Sequence, residues 1–143
     1  MVLLNREQIK ELLPHREPFL LIDEVTALDP GKKCVAVTYI KADDFWFKGH
    51  FPEYPVTPGV LMLEMLAQTG GICAASLPEN KGKLGLFAKI DKAKFRRQVV
   101  PGDVLTLTTE ILKMKAGVCV CSAVAKVGDE LAVSAELTFA FQK

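Results

Sequence analysis

The run "GVLMLEMLAQTGGICAAS", residues 59–76, limits what this chain can fold into more than any other stretch. Within 60–75 the polar side chains are Glu64, Gln68 and Thr69 only, so a helix here has no face to turn to water. It is too short to cross a bilayer, which needs about 20 apolar residues. The remaining solution is a core helix wrapped by other structure. Gly70 and Gly71 each weaken the helix by about 1 kcal/mol relative to Ala, a loss understandable if another element passes close by.

Thr57 and Pro58 predict the start of this helix, with Thr57 as N-cap and Pro58 in the first turn, and Leu77-Pro78 predicts its end. Before it, Asn5 and Gln8 have the spacing of a capping box for a short amphipathic helix that Pro14 stops. "PFLLIDEVTALDPGKKCVAVTYI" reads as two β-rich runs joined at the turn signal Asp29-Pro30-Gly31. Residues 42–58 contain Pro52, Pro55 and Pro58 and predict an ordered loop. After the helix come β-rich segments punctuated by Pro101-Gly102, Gly117 and Gly128-Asp129, at least three of them consecutive antiparallel strands. The pattern predicts an α+β fold in which one antiparallel sheet curls around an apolar helix. With 143 residues, the chain reads as a single domain, 1–143, without internal repeats.

A net charge of +1 supplies no global attraction for nucleic acid or an anionic membrane. Cys34, Cys73, Cys119 and Cys121 form no C-x-x-C pair and have no histidine at zinc spacing, so no metal site is expected. Free thiols and an N-terminus without a signal-peptide core point to the cytoplasm. Cys119 and Cys121 share a strand face and read as packing residues.

Two side chains stand out chemically. His50 lies at the edge of the proline-stiffened loop beside Phe51, where an imidazole can be held as a general base; the plainer alternative is a loop histidine bonded to backbone. Glu64 lies on the helix that otherwise rejects charge. Burial raises the pKa of such a carboxyl and suits it to donate a proton, with Gln68 one turn later to orient it. A salt bridge or an edge position would also accommodate it. At the helix start, the N–H groups of Gly59 and Val60 can receive a carbonyl oxygen on which charge grows; a merely permissive glycine is the alternative. Base, acid and oxyanion donors together suit removal of a proton next to a carbonyl with loss of a β-hydroxyl.

"GHFPEYPVTPGVLMLEMLAQ" resembles the signature of the (3R)-hydroxyacyl-acyl-carrier-protein dehydratases of type II fatty-acid synthesis. "LPHREPFLLIDEV" and "FAKIDKAKFRRQVVPGDVL" resemble that family's other two blocks, and the likeness extends over roughly 12–141. It implies the hotdog fold and dehydration of a (3R)-3-hydroxyacyl thioester without metal or organic cofactor. It assigns His50 and Glu64 as catalytic, Gly59 as backbone donor to the thioester carbonyl and Gln68 as support for the glutamate, with Val60 and Phe51 beside the substrate. It further implies a homodimer whose sites combine His50 of one subunit with Glu64 of the other, often as a trimer of dimers.

The partner implied is an acidic acyl carrier protein, for which Lys94, Arg96 and Arg97 form the candidate docking cluster; strand alternation predicts Lys92, Lys94 and Arg96 on one face with Phe95 and Arg97 on the other, and on composition alone this is an ordinary solvated basic strand. Thr57 stands where the family usually has methionine, and Trp46 lies in a divergent segment; Phe45, Trp46 and Phe47 either line an acyl tunnel or anchor the loop. His15 reads as structural support near the site. Competing functions on the same fold are an acyl thioesterase, a dehydratase/isomerase and a non-catalytic acyl-binding subunit.

Overall fold

The computed structural model describes residues 1–142. Its short first helix, α1 (Arg6–Lys10), is closed by the capping box: the Asn5 side chain accepts from Gln8 N–H at 2.9 Å and the Gln8 side chain accepts from Asn5 N–H at 2.8 Å. Ile9 carries its apolar face into the core. Strands β1 (Glu24–Asp29) and β2 (Lys33–Tyr39) form the expected hairpin, with Gly31 at φ +74, a conformation that glycine adopts without steric cost.

The long helix α2 (Gly59–Ala75) follows the proline loop, and four strands complete the chain: β3 (Leu84–Phe95), β4 (Val104–Lys115), β5 (Val118–Val127) and β6 (Glu130–Gln142). The six strands make one sheet in the order β1-β2-β4-β5-β6-β3, every adjacent pair antiparallel. β4, β5 and β6 are consecutive in chain and sheet, whereas β3 pairs with β6 and forms an edge. Two register shifts, at Phe87/Lys89 and Asp91/Lys94, interrupt β3, and Lys92 has φ 53. Simple alternation of the basic side chains along this strand therefore does not hold.

The curled sheet buries α2 as its composition requires. Met65, Leu66 and Ile72 pack in one core with Leu105, Leu107 and Leu137. A buried hydrogen bond joins the layers where Thr109 Oγ1 donates to the Leu66 carbonyl at 2.8 Å. The glycine pair marks the close approaches. A Cβ on Gly70 would lie 3.0 Å from Thr109 Cγ2 and 3.3 Å from Phe139, while one on Gly71 would lie 3.1 Å from a Leu13 methyl. Cys119 and Cys121 are buried on one strand face with Phe139, their sulfurs 3.6 Å apart. This helix enclosed by an antiparallel sheet is the hotdog arrangement.

The helix start differs from expectation. Pro58 is the N-cap and makes no side-chain capping bond. Thr57 instead belongs to the extended segment before it: its N–H donates to the Val99 carbonyl at 2.8 Å, and its buried hydroxyl has no partner among the described residues. A threonine pinned through its backbone and turned inward cannot reach back over the first turn.

Candidate active site

His50 is held by a closed loop. Its N–H donates to the Trp46 carbonyl at 3.0 Å and its carbonyl accepts from Val56 N–H at 3.1 Å, while Phe51 and Tyr54 exchange N–H···O bonds. The Tyr54 hydroxyl donates to the Gln98 side chain, fastening the loop to the segment after β3. The imidazole is then fixed by one contact: Nδ1 lies 2.9 Å from the Val56 carbonyl oxygen. A carbonyl only accepts, so Nδ1 carries the hydrogen and Nε2 of the neutral ring keeps a free lone pair. The Phe51 ring stacks on the imidazole at a centroid distance of 4.2 Å.

His50 lines a hollow of about 580 Å³ with Gly59, Val60, Phe95 and Arg96. The first N–H groups of α2 have no acceptor within the helix. With Pro58 offering no cap, those of Gly59 and Val60 remain as donors at this hollow, where the positive end of the helix dipole favours developing negative charge. Phe95 covers the glycine so closely that an added Cβ would lie 2.6 Å from its ring. Any side chain at 59 would force this ring to move.

Glu64 opens into a different hollow of about 280 Å³, lined also by His15, Gln68, Leu86, Phe87 and Phe141. The two hollows share no lining residue. Burial raises the Glu64 carboxyl above its ordinary value, and the hydrogen bond from Gln68 partly opposes this. Gln68 Nε2 donates to Glu64 Oε2 at 3.0 Å and to the Phe19 carbonyl at 2.8 Å, and its Oε1 accepts from Leu21 N–H at 2.9 Å. The Leu21 bond leaves only one orientation for the amide, so its NH₂ must face the glutamate.

His15 Nε2 lies 3.6 Å from the same carboxyl oxygen. Desolvation, then the charge of Arg16, lowers the pKa of this histidine and keeps it neutral near pH 7.

Of the basic cluster, Lys94 and Arg96 are exposed, and Arg96 borders the His50 hollow. Arg97 is tied to Asp103 at 2.9 Å and Glu130 at 3.5 Å, which neutralises part of its field. Trp46 and Phe47 are buried and anchor the loop, and neither lines the hollow of His50 or of Glu64. No sequence signal points to the Val56 carbonyl or to the Phe19 and Leu21 backbone groups, because every residue type carries such groups. Among the described residues no three His, Cys, Asp or Glu side chains converge on a possible metal position.

Sheet, enclosed helix and the two polar stations define a hotdog-fold protein with a candidate acid–base site. The chain belongs to the family of the FabA-like domain, whose family model matches residues 13–136. It is 54% identical over 141 residues to the 3-hydroxyacyl-acyl-carrier-protein dehydratase FabZ of Ruminiclostridium cellulolyticum, covering 99% of both chains. A Staphylococcus aureus (strain JH9) protein of the same description is 54% identical over 135 residues, covering 94% of this chain and 92% of its own.

Among solved structures, the dehydratase heterocomplex ApeI:P from Xenorhabdus doucetiae superposes with a TM-score of 0.82 at 16% identity, covering 94% of this chain and 91% of that one. A hypothetical thioesterase protein with coenzyme A from Streptococcus pneumoniae TIGR4 gives a TM-score of 0.63 at 16% identity, covering 83% and 84%. At these identities the likeness is one of fold.

Proposed function

We propose that the protein dehydrates (3R)-3-hydroxyacyl groups carried on acyl carrier protein to trans-2-enoyl groups, in fatty-acid or related acyl-chain synthesis. The near full-length identity to dehydratases so described supports the reaction class. The observation that carries the chemistry is the His50–Val56 contact, which in the neutral ring puts the hydrogen on Nδ1 and leaves the lone pair on Nε2, where a base needs it.

In the proposed reaction, Nε2 of His50 removes the C2 proton. The C2–H electrons form the C2–C3 double bond as the C3–O bond breaks, and the proton of Glu64 leaves with the hydroxyl as water. The Gly59 N–H holds the thioester oxygen while negative charge grows on it. Solvent then carries the proton from the imidazolium back to the Glu64 carboxylate, completing the cycle.

Because one chain keeps base and acid in separate hollows, the site is proposed to form between two subunits. After Leu61, the α2 residues that are not fully buried are Glu64 and Ala67; with the exposed Val60 they make a stripe at i, i+4 and i+7. Edge strand β3 exposes Leu84, Leu86, Phe87, Ile90 and Phe95, an apolar edge that a second copy would cover. Antiparallel pairing of β3 with its own copy about its centre sets Leu84 against Phe95 of the other subunit. Phe95 borders the His50 hollow, and Leu86 and Phe87 border that of Glu64, so such pairing would join a base station to an acid station twice per dimer.

Arg96, which lines the His50 hollow, and the exposed Lys94 would then meet the acidic carrier, and a cytoplasmic trimer of dimers is the proposed assembly. Among the described residues no helix is long and apolar enough to cross a membrane.

The test follows a carrier-linked (3R)-3-hydroxyacyl substrate for enoyl absorbance, thiol release and double-bond position. Trans-2-enoyl product without thiol is expected. Thiol release without enoyl product would replace dehydration with thioester hydrolysis, and a cis-3 product would add isomerisation. Lys94→Glu with Arg96→Glu should raise KM about tenfold for the carrier-linked substrate and leave a pantetheine-linked one unchanged; equal effects on both would remove these residues from carrier docking.

A further inference from the structure

The proposed acid, Glu64, has two neighbouring N–H groups, and only the Gln68 amide has been given a role. His15 projects from the segment between α1 and β1 into the same hollow, with Nε2 3.6 Å from Glu64 Oε2. Three bonds fix the turn that presents it: the Arg16 guanidinium donates to the carbonyls of Leu13 at 2.8 Å, His15 at 2.7 Å and Lys10 at 3.2 Å. The other ring nitrogen, Nδ1, is buried and without a hydrogen-bond partner among the described residues.

Those facts select the tautomer. A hydrogen on Nδ1 would be a buried donor without an acceptor, and Nε2 would then be satisfied only by drawing the acid's own proton onto Oε2, away from the substrate. With the hydrogen on Nε2, the ring donates toward Oε2, and only a weakly basic lone pair stays buried. A separation of 3.6 Å is longer than a hydrogen bond, but contacts of this kind tighten as charge develops during turnover.

We propose that His15, as the neutral Nε2–H tautomer, is a positioning residue: with Gln68 it engages Oε2 of Glu64, which confines the acid's transferable proton to Oε1 facing the hollow. When that proton leaves with the substrate hydroxyl, the new carboxylate finds two N–H donors already in place. The inference rests on Glu64 being the acid of the proposed dehydration. The other ionisable group lining this hollow is Lys83; Arg16 is turned to backbone carbonyls, and the partner's His50 would enter with substrate between it and the acid.

The experiment uses the assembled enzyme and three variants. His15→Phe should lower kcat about ten- to a hundredfold with KM within about twofold, the loss of one hydrogen bond to a charged group. Because the lost donor favours the carboxylate, the alkaline limb of the kcat profile, where Glu64 gives up its proton, should move to higher pH. His15→Gln, which restores an N–H at similar reach, should recover most of the rate and return the limb.

Nitrogen NMR of the His15 ring should report Nε2 protonated and Nδ1 bare. A lower kcat with an unmoved limb, no rescue by glutamine, or an Nδ1–H tautomer would each overturn the role. Glu64→Gln separates the two levels: if it still turns over, the acid assignment itself fails. If it is inactive while His15→Phe is unchanged, only the role of His15 fails.

Discussion

At the scale of single residues, the informative quantity is the cost of keeping Glu64 where it is. Its carboxyl is raised above the ordinary value of 4.5 because it is buried, so between 4.5 and its folded value the native state holds a proton that the unfolded chain has lost. Stability from this group is complete below 4.5 and is lost as pH rises through the folded value. Glu64→Gln removes that titration. Denaturant midpoints for wild type and variant, taken at one protein concentration across pH 4 to 8, should show the variant gaining on wild type as pH rises. A constant difference would mean that Glu64 titrates alike in the folded and unfolded chain. The sequence disclosed the carboxyl and its Gln68 partner because both are anomalies on an apolar helix. It concealed their anchorage, since Leu21 N–H and the Phe19 carbonyl are backbone groups separated from Gln68 by more than 45 residues of chain.

At the scale of elements, the glycine pair in α2 records how closely the sheet is wrapped. Gly70 faces Thr109, whose hydroxyl is committed to the Leu66 carbonyl, together with the buried Phe139 ring and Cys121, so its neighbours have little room to give. Gly71 faces the end of one flexible leucine side chain. Alanine gains up to about 1 kcal/mol in helix propensity at either position, while overpacking at a rigid site costs about 1–3 kcal/mol. Thermal or denaturant unfolding should therefore find Gly70→Ala destabilised by about 1–2 kcal/mol and Gly71→Ala close to neutral. Equal effects would place both contacts in deformable surroundings. The enclosed helix, hairpin and α1 cap were legible because each depends on local spacing. The helix start was misread, because Thr57 has the right side chain for an N-cap but is held by a long-range bond to Val99. The alternation along β3 failed for a related reason: its bulges are set by pairing with β6, which local sequence does not encode.

At the scale of the whole molecule, the proposed base and the proposed acid stand at two separate places in one chain. His50 stands with a fixed tautomer beside an uncapped helix start, Glu64 sits in an apolar hollow of its own, and an apolar edge strand borders both. Family resemblance supplied the idea of a shared site, and the separation of the hollows with the exposure of β3 now gives that idea a physical route. Subunit complementation tests it most directly. His50→Ala and Glu64→Ala homo-oligomers should each be inactive; after partial unfolding and reassembly of an equal mixture, mixed dimers would contain one site with both residues intact. Activity should then return to about a quarter of the wild-type value, since half of the dimers are mixed and each has one of two sites restored. No recovery, with subunit exchange verified by mass spectrometry of differently tagged chains, would contradict a site built across two subunits.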